Sequence, residues 1–198
     1  AVYAMLSSLV AIVPISLTGA RLPNLRELCI FFAAFLKFAL VLSMVPRVLS
    51  GSAIDYTFFE LLPGVSFSLK VDALGLLFAL VASSLWIVTT LYSIGYMRGL
   101  KEHAQTRFYA CFALALSSTL GVAFSANLFT LYIFYEILSL STYPLVTHHQ
   151  DEAGRSAGRK YLTYLLGGSI GLALPAMIFV YLSTGSLEFT AGGLMGDT

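Results

Sequence analysis

Residues Asn127–Thr147 read NLFTLYIFYEILSLSTYPLVT. The stretch is long and apolar enough to cross a membrane, and its one acidic residue is Glu136. A helix rises about 1.5 Å per residue, which puts Glu136 roughly 13 Å from the start of the stretch. The hydrocarbon core of a bilayer is about 30 Å thick, so this carboxyl falls near the midplane. An acidic side chain there costs about 3 kcal/mol on insertion scales, and ionisable groups kept at that depth mark ion and proton pathways.

The rest of the chain has the same character. Of its 198 residues 58% are hydrophobic and 11% charged, against about 25% charged in a soluble domain. The mean hydropathy is +0.86. The class is an all-α polytopic membrane protein. Continuous apolar runs of about 20 residues, without alternation, argue against a β-barrel. A net charge of +1 and the lack of a basic patch with interleaved aromatics exclude nucleic acid as a partner.

Six spans are expected, at about residues 2–19, 28–45, 72–92, 107–125, 127–147 and 160–183, forming one transmembrane domain. Pro14 interrupts the first. Between the second and third, Pro63-Gly64 is a turn signal and Val65–Val71, VSFSLKV, alternates apolar and polar. That pattern predicts a short β-hairpin on one membrane face, followed by Asp72 as an N-cap. Arg21–Glu27, the stretch after Tyr92 and His148–Arg159 are expected loops, and Thr184–Thr198 a Gly-rich tail. Arg21, Arg26, Arg98, Lys101, Arg107, Arg155, Arg159 and Lys160 fall on one side, against Arg47 and Lys70 on the other. The positive-inside rule puts the three basic loops in the cytoplasm and the N-terminus, hairpin and tail outside.

Tyr132, Ser139 and Tyr143 stand at i−4, i+3 and i+7 of Glu136, on one helix face. Pro144 removes a backbone donor and frees a carbonyl nearby. A carboxyl balanced between desolvation and neighbouring positive charge can load and release a proton. The bland alternative is a protonated or paired glutamate that locks two helices. Lys160 opens the sixth span and either serves the same chemistry or snorkels to the interface. Lys37, about nine residues into the second span, pairs with an acid of a partner subunit or snorkels part of the way, a structural or interface role. His148 and His149 follow the glutamate helix, as interfacial loop residues or as a proton relay. His103 reads as a solvated loop residue. Three histidines so dispersed suggest no metal site. Cys29 and Cys111 read as apolar packing residues. Gly167 and Gly171 form a GxxxG pattern that suggests close helix packing.

Several stretches together resemble a known family. They are VDALGLLFALVASS at Val71–Ser84, LYSIGYM at Leu91–Met97, the Glu136 stretch itself, RKYLTYLLGGSIGLAL at Arg159–Leu174 and STGSLEF at Ser183–Phe189. The resemblance is to the proton-conducting antiporter-like family of complex I membrane-arm subunits, Mrp-type Na+/H+ antiporter subunits and membrane-bound hydrogenase relatives, closest in flavour to the Mrp D-type or the hydrogenase-associated branch. It implies a subunit of a multi-subunit complex that moves protons, or exchanges them for sodium, in the prokaryotic cytoplasmic membrane. It implies no cofactor and no redox centre in this chain. It implies other antiporter-like and small membrane subunits as partners, lipids around them, and a peripheral redox or hydrogenase module in some complexes. Glu136 matches the family's fifth-helix glutamate and Lys160 its sixth-helix lysine. Family members have about fourteen helices in two inverted repeats, so the expectation is the N-terminal part of the fold. The broken seventh helix with its lysine, and the second inverted repeat, are then absent. The competing readings are a non-conducting scaffold for a redox module, and an independent ion channel or porter.

Overall fold

The computed structural model describes residues 1–19, 21–52, 54–190 and 193. Apart from Gly193, the expected tail beyond Thr190 lies outside the described residues. The elements in order are α1 (Val2–Thr18), α2 (Pro23–Leu42), α3 (Val45–Leu49), β1 (Ile54–Leu62), β2 (Val65–Val71), α4 (Ala73–Gly99), α5 (Gln105–Ala123), α6 (Leu128–Val146), α7 (Glu152–Gly168) and α8 (Leu174–Thr184). A single π-helical turn, Ser169–Ala173, joins α7 to α8. Five helical stretches are long and apolar enough to cross a membrane, and the 17-residue α1 is a shorter apolar sixth. The chain is thus a multi-pass membrane protein with a small two-stranded antiparallel sheet.

Helix ends differ from the expected spans wherever a helix runs past the hydrocarbon. α2 starts at Pro23, inside the expected loop Arg21–Glu27, because a proline at the first helical position gives up no hydrogen bond. α4 continues to Gly99, beyond Tyr92. The helical run from Glu152 to Thr184 covers 33 residues, about 50 Å of helix against about 30 Å of hydrocarbon. Its first turns therefore lie outside the hydrocarbon. Asp151 caps them, accepting from the Gly154 amide at 2.6 Å, and Glu152, Arg155 and Arg159 line them. Lys160 consequently stands two turns inside α7 instead of opening a helix.

The hairpin forms where the alternation places it. Ile54 pairs with Val71 and Leu62 with Val65. Gly64 takes φ 77° in the turn, and a β-carbon there would overlap the Gly185 carbonyl. β2 turns its apolar side chains inward and β1 is exposed. Asp72 caps α4 through the Gly75 amide at 2.6 Å.

α5 is the central helix, packed along α1 on one side and α6 on the other. One buried cluster, including Met5, Val41, Leu69, Leu76, Leu120, Phe124 and Phe134, ties α1, α2, α4, α5, α6 and β2 together at the hairpin end. A second, with Ile15, Ile30, Trp86 and Tyr109, fills the other end of α1, α2, α4 and α5. There the connections α1–α2, α4–α5 and α6–α7 are tied to one another. Arg98 pairs with Glu27 at 2.5 Å, Arg26 donates to Gln105 at 2.6 Å, and Arg107 donates to the His148 carbonyl at 2.7 Å. The three basic loops share one end of the bundle. α7 and α8 pack least: Tyr164, Leu172 and Leu182 are exposed.

Candidate functional site

Glu136 sits in the third turn of α6, half-buried. α6 is anchored by Asn127, whose side chain caps the helix by accepting from the Thr130 amide at 2.8 Å. Among the described residues, the hydrogen bond to the Glu136 carboxylate comes from the Ser169 hydroxyl. Ser169 is buried and opens the π turn between α7 and α8. A π turn shifts backbone hydrogen bonds from i+4 to i+5, leaves main-chain groups less firmly engaged, and recurs at functional sites. A serine hydroxyl donates to an ionised carboxylate and accepts from a protonated one. The pair can therefore follow a change of protonation by rotating one hydroxyl.

The expected polar stripe on α6 does not converge on Glu136. The Ser139 hydroxyl turns back to the Tyr135 carbonyl at 2.9 Å. Tyr143 lies against Gly158 of α7, where a β-carbon would overlap its ring and the Thr147 methyl. Tyr132 is half-buried, with no hydrogen bond to Glu136 among the described residues. Lys160 is exposed. Nine residues separate it from Ser169, about 13 Å along the helix axis, so it does not reach the carboxyl directly. Gly167 and Gly171, the GxxxG pair, meet no neighbour among the described residues. Gly158 is the glycine at the α6–α7 crossing. Gly158→Leu should pry α7 from α6 and cost about 1–3 kcal/mol, as overpacking does. The readout is a lowered unfolding midpoint in detergent. A wild-type midpoint would contradict this crossing.

Lys37 departs furthest from expectation. It is 0% exposed and does not snorkel. No acid of another subunit is needed to hold it. Its ammonium donates to Ser8 Oγ at 2.6 Å and to the Leu116 carbonyl at 3.1 Å. It lies 5.1 Å from the centre of the Trp86 ring, a cation–π distance. Three neighbouring helices, α1, α4 and α5, thus enclose it with polar and π groups from this chain alone. Ser117 of α5 donates to the Met5 carbonyl at 2.8 Å close by. This polar layer crosses the apolar bundle on the side of α5 opposite α6.

The histidines are not dispersed in space. The α4–α5 and α6–α7 connections meet, and the His103 ring packs against that of His148, tilted by 34° with ring centres 4.9 Å apart. Glu102 stands beside both. His149 is exposed at the rim of the group. Burial, with the charges of His103 and Arg107 adding to it, lowers the His148 pKa from its ordinary value, which keeps its imidazole neutral around pH 7. Sequence spacing missed this group, because its members come from two loops that only the fold brings together. Ser169 was missed because a π turn leaves no periodic trace.

Comparison with known proteins places these features in a family. Residues 125–196, which contain Glu136 and Ser169, match the family described as NADH:quinone oxidoreductase/Mrp antiporter, transmembrane region. Residues 63–109 match NADH-ubiquinone oxidoreductase (complex I), chain 5 N-terminus. Na(+)/H(+) antiporter subunit A1 from Staphylococcus aureus strain bovine RF122 / ET3-1 is 34% identical over 152 residues, covering 72% of this chain and 19% of that protein. The subunit from strain Newman matches to the same extent. The chain thus spans about a fifth of the length of these relatives. Among solved structures, the membrane-bound sulfane sulfur reductase, an archaeal respiratory membrane complex, superposes with a TM-score of 0.77 at 19% identity. The match covers 94% of this chain and 28% of that one. The Mrp complex from Dietzia sp. DQ12-45-1b gives 0.73 at 20% identity, covering 94% and 35%. The apolar helices and the small antiparallel hairpin before α4 agree with the matched fold, and the chain belongs to the antiporter-like family of membrane subunits shared by Mrp antiporters and complex I.

Proposed function

We propose that this chain is a proton-translocating subunit of a multi-subunit antiporter-like complex, with Glu136 as the group that takes up and releases the proton. The observation that carries this reading is a mid-span carboxylate paired with a hydroxyl at a π turn. The Ser169 hydroxyl donates to Glu136 Oε1 while the carboxylate is charged. It rotates to accept when the carboxyl is protonated, so this hydrogen bond persists in both protonation states. Protons approach from the end where the three basic loops meet, through water near His148 and Lys160. By the positive-inside rule that end is cytoplasmic, and the N-terminus and hairpin lie outside. A change of charge near Glu136 drives release. Sodium exchange coupled to this step would use the same carboxyl, and neighbouring antiporter-like and small membrane subunits complete the path.

Ser169 variants of the assembled complex in proteoliposomes test the reading. A charge-assisted hydrogen bond is worth about 1.5–3 kcal/mol, and each 1.4 kcal/mol in a barrier is about a factor of ten in rate. Ser169→Ala should slow proton-coupled transport about tenfold or more, and Ser169→Thr should restore most of it. Equal rates in wild type and Ser169→Ala would remove the hydroxyl from the mechanism.

A further inference from the structure

The cluster where the α4–α5 and α6–α7 loops meet lies apart from the Glu136 carboxyl, and only its His148 borders the proposed proton approach. We propose that Glu102, His103 and His148 form a binding site for a divalent transition-metal ion of the Zn2+ class.

Four observations carry this. First, one ligand atom from each of the three residues lies within 4.8 Å of the others. Glu102 Oε2 stands 3.8 Å from His103 Nδ1 and 3.7 Å from His148 Nε2. In a tetrahedral site with bonds of about 2.0–2.1 Å, neighbouring ligand atoms stand about 3.3 Å apart. Small side-chain rotations close that difference. Second, both ring nitrogens of His148 are buried without a hydrogen-bond partner among the described residues. Buried polar atoms almost always have a partner, and an ion is one of the few explanations for those that do not. Third, Glu102 Oε2 is 3.9 Å from the exposed His149 Nδ1, which leaves a fourth position open to this imidazole or to water. Fourth, Lys101, Ala104 and Gln150 are the non-glycine residues with positive φ among those described. Lys101 and Ala104 bracket Glu102 and His103, and Gln150 follows His149. Strain of this kind is kept where the surroundings hold a side chain in a required place.

Two imidazoles and one carboxylate select Zn2+, Co2+, Ni2+ or Cu2+ over Mg2+ and Ca2+, which take oxygen ligands. A bound ion would cross-link the loop entering α5 to the loop leaving α6. The site does not depend on what Glu136 does, so metal binding and transport can be judged separately.

The test uses the purified membrane complex that contains this chain, stripped with a chelator, at about pH 7.5. Zn2+ titration followed by calorimetry should show one equivalent per chain that disappears in Glu102→Gln. His103 is exposed, so His103→Ala gives up little beyond its ring contacts with His148 and His149, and it should weaken this site at least about tenfold, the scale on which perturbed ligation costs affinity. With Cu2+ as probe, paramagnetic resonance should report one imidazole nitrogen fewer in His103→Ala than in the wild type. Excess Mg2+ should not compete. Unchanged Zn2+ stoichiometry and affinity in both variants, or an unchanged Cu2+ spectrum in His103→Ala, would overturn the assignment.

Discussion

Replacing Glu136 with Gln is expected to abolish proton-coupled transport by the assembled complex while leaving the amount of complex unchanged. Gln has the size and shape of Glu, and its carbonyl oxygen still accepts from Ser169. The contact between α6 and the π turn therefore survives, and α6 keeps its place beside α5. What is lost is the capacity to bind a proton. Positioned acids and bases contribute about 100–10,000-fold to proton-transfer steps, so flux should fall by at least about a hundredfold. Glu136→Asp keeps the proton but withdraws the carboxyl by about one methylene from the Ser169 hydroxyl, and should give an intermediate rate. The measurement is ion-driven acidification in proteoliposomes, normalised to assembled complex. A different pattern supports the scaffold reading, in which Glu136 serves only to lock helices. There, Glu136→Gln would reduce assembly, and flux per assembled complex would stay at the wild-type level.

The fold was legible where the physics is local. The alternation in Val65–Val71, the Pro63-Gly64 turn and the cap Asp72 are written within a few residues of the structures they form. The centres of the helices were equally plain, because each needs about 20 apolar residues. Their ends were not. α4 and α7 extend past the hydrocarbon as helices with charged turns, and nothing in hydropathy distinguishes a polar helical turn from a loop. In the candidate site, Glu136 announces itself by its cost, since a lone acid in an apolar run has few structural uses. Its partner does not: Ser169 is an ordinary small residue until the π turn aims it at the carboxylate. Lys37 shows the same limit in reverse. Its depth was readable, but its satisfaction by Ser8, the Leu116 carbonyl and Trp86 depends on helix neighbours that the sequence does not write. The histidine group required two loops to meet, so spacing alone read it as scattered.

Substituting Asn127 tests whether the hairpin end holds α6, and so Glu136, in position. Asn127 is 0% exposed. Its carbonyl oxygen caps α6. Its amide nitrogen reaches the Ser66 carbonyl at 2.8 Å, Ser66 Oγ and Ser68 Oγ at 3.0 Å, and Glu188 Oε1 at 3.1 Å. The Ser66 hydroxyl also donates to Glu188 at 2.8 Å. The backbone reinforces the junction: Leu128 donates to the Leu187 carbonyl at 3.0 Å and Leu187 to the Gly64 carbonyl at 3.1 Å. One amide thus joins β2, the start of α6 and the strand-like segment after α8. Asn127→Leu removes the cap, worth about 1 kcal/mol, and leaves the Glu188 carboxylate and two serines short of a donor, at about 1–3 kcal/mol for a buried group left unsatisfied. From these two terms a loss of about 2–4 kcal/mol is expected, read as a lowered unfolding midpoint in detergent and faster amide exchange in Val65–Val71. Asn127→Asp separates the two roles. Aspartate caps a helix as well as asparagine does, but it cannot donate, and it sets a second carboxylate against Glu188. If the amide donors hold the junction, the Asn127→Asp variant should be about as unstable as the Asn127→Leu variant. If the cap alone matters, Asn127→Asp would keep wild-type stability, and the junction would have no part in placing the glutamate helix.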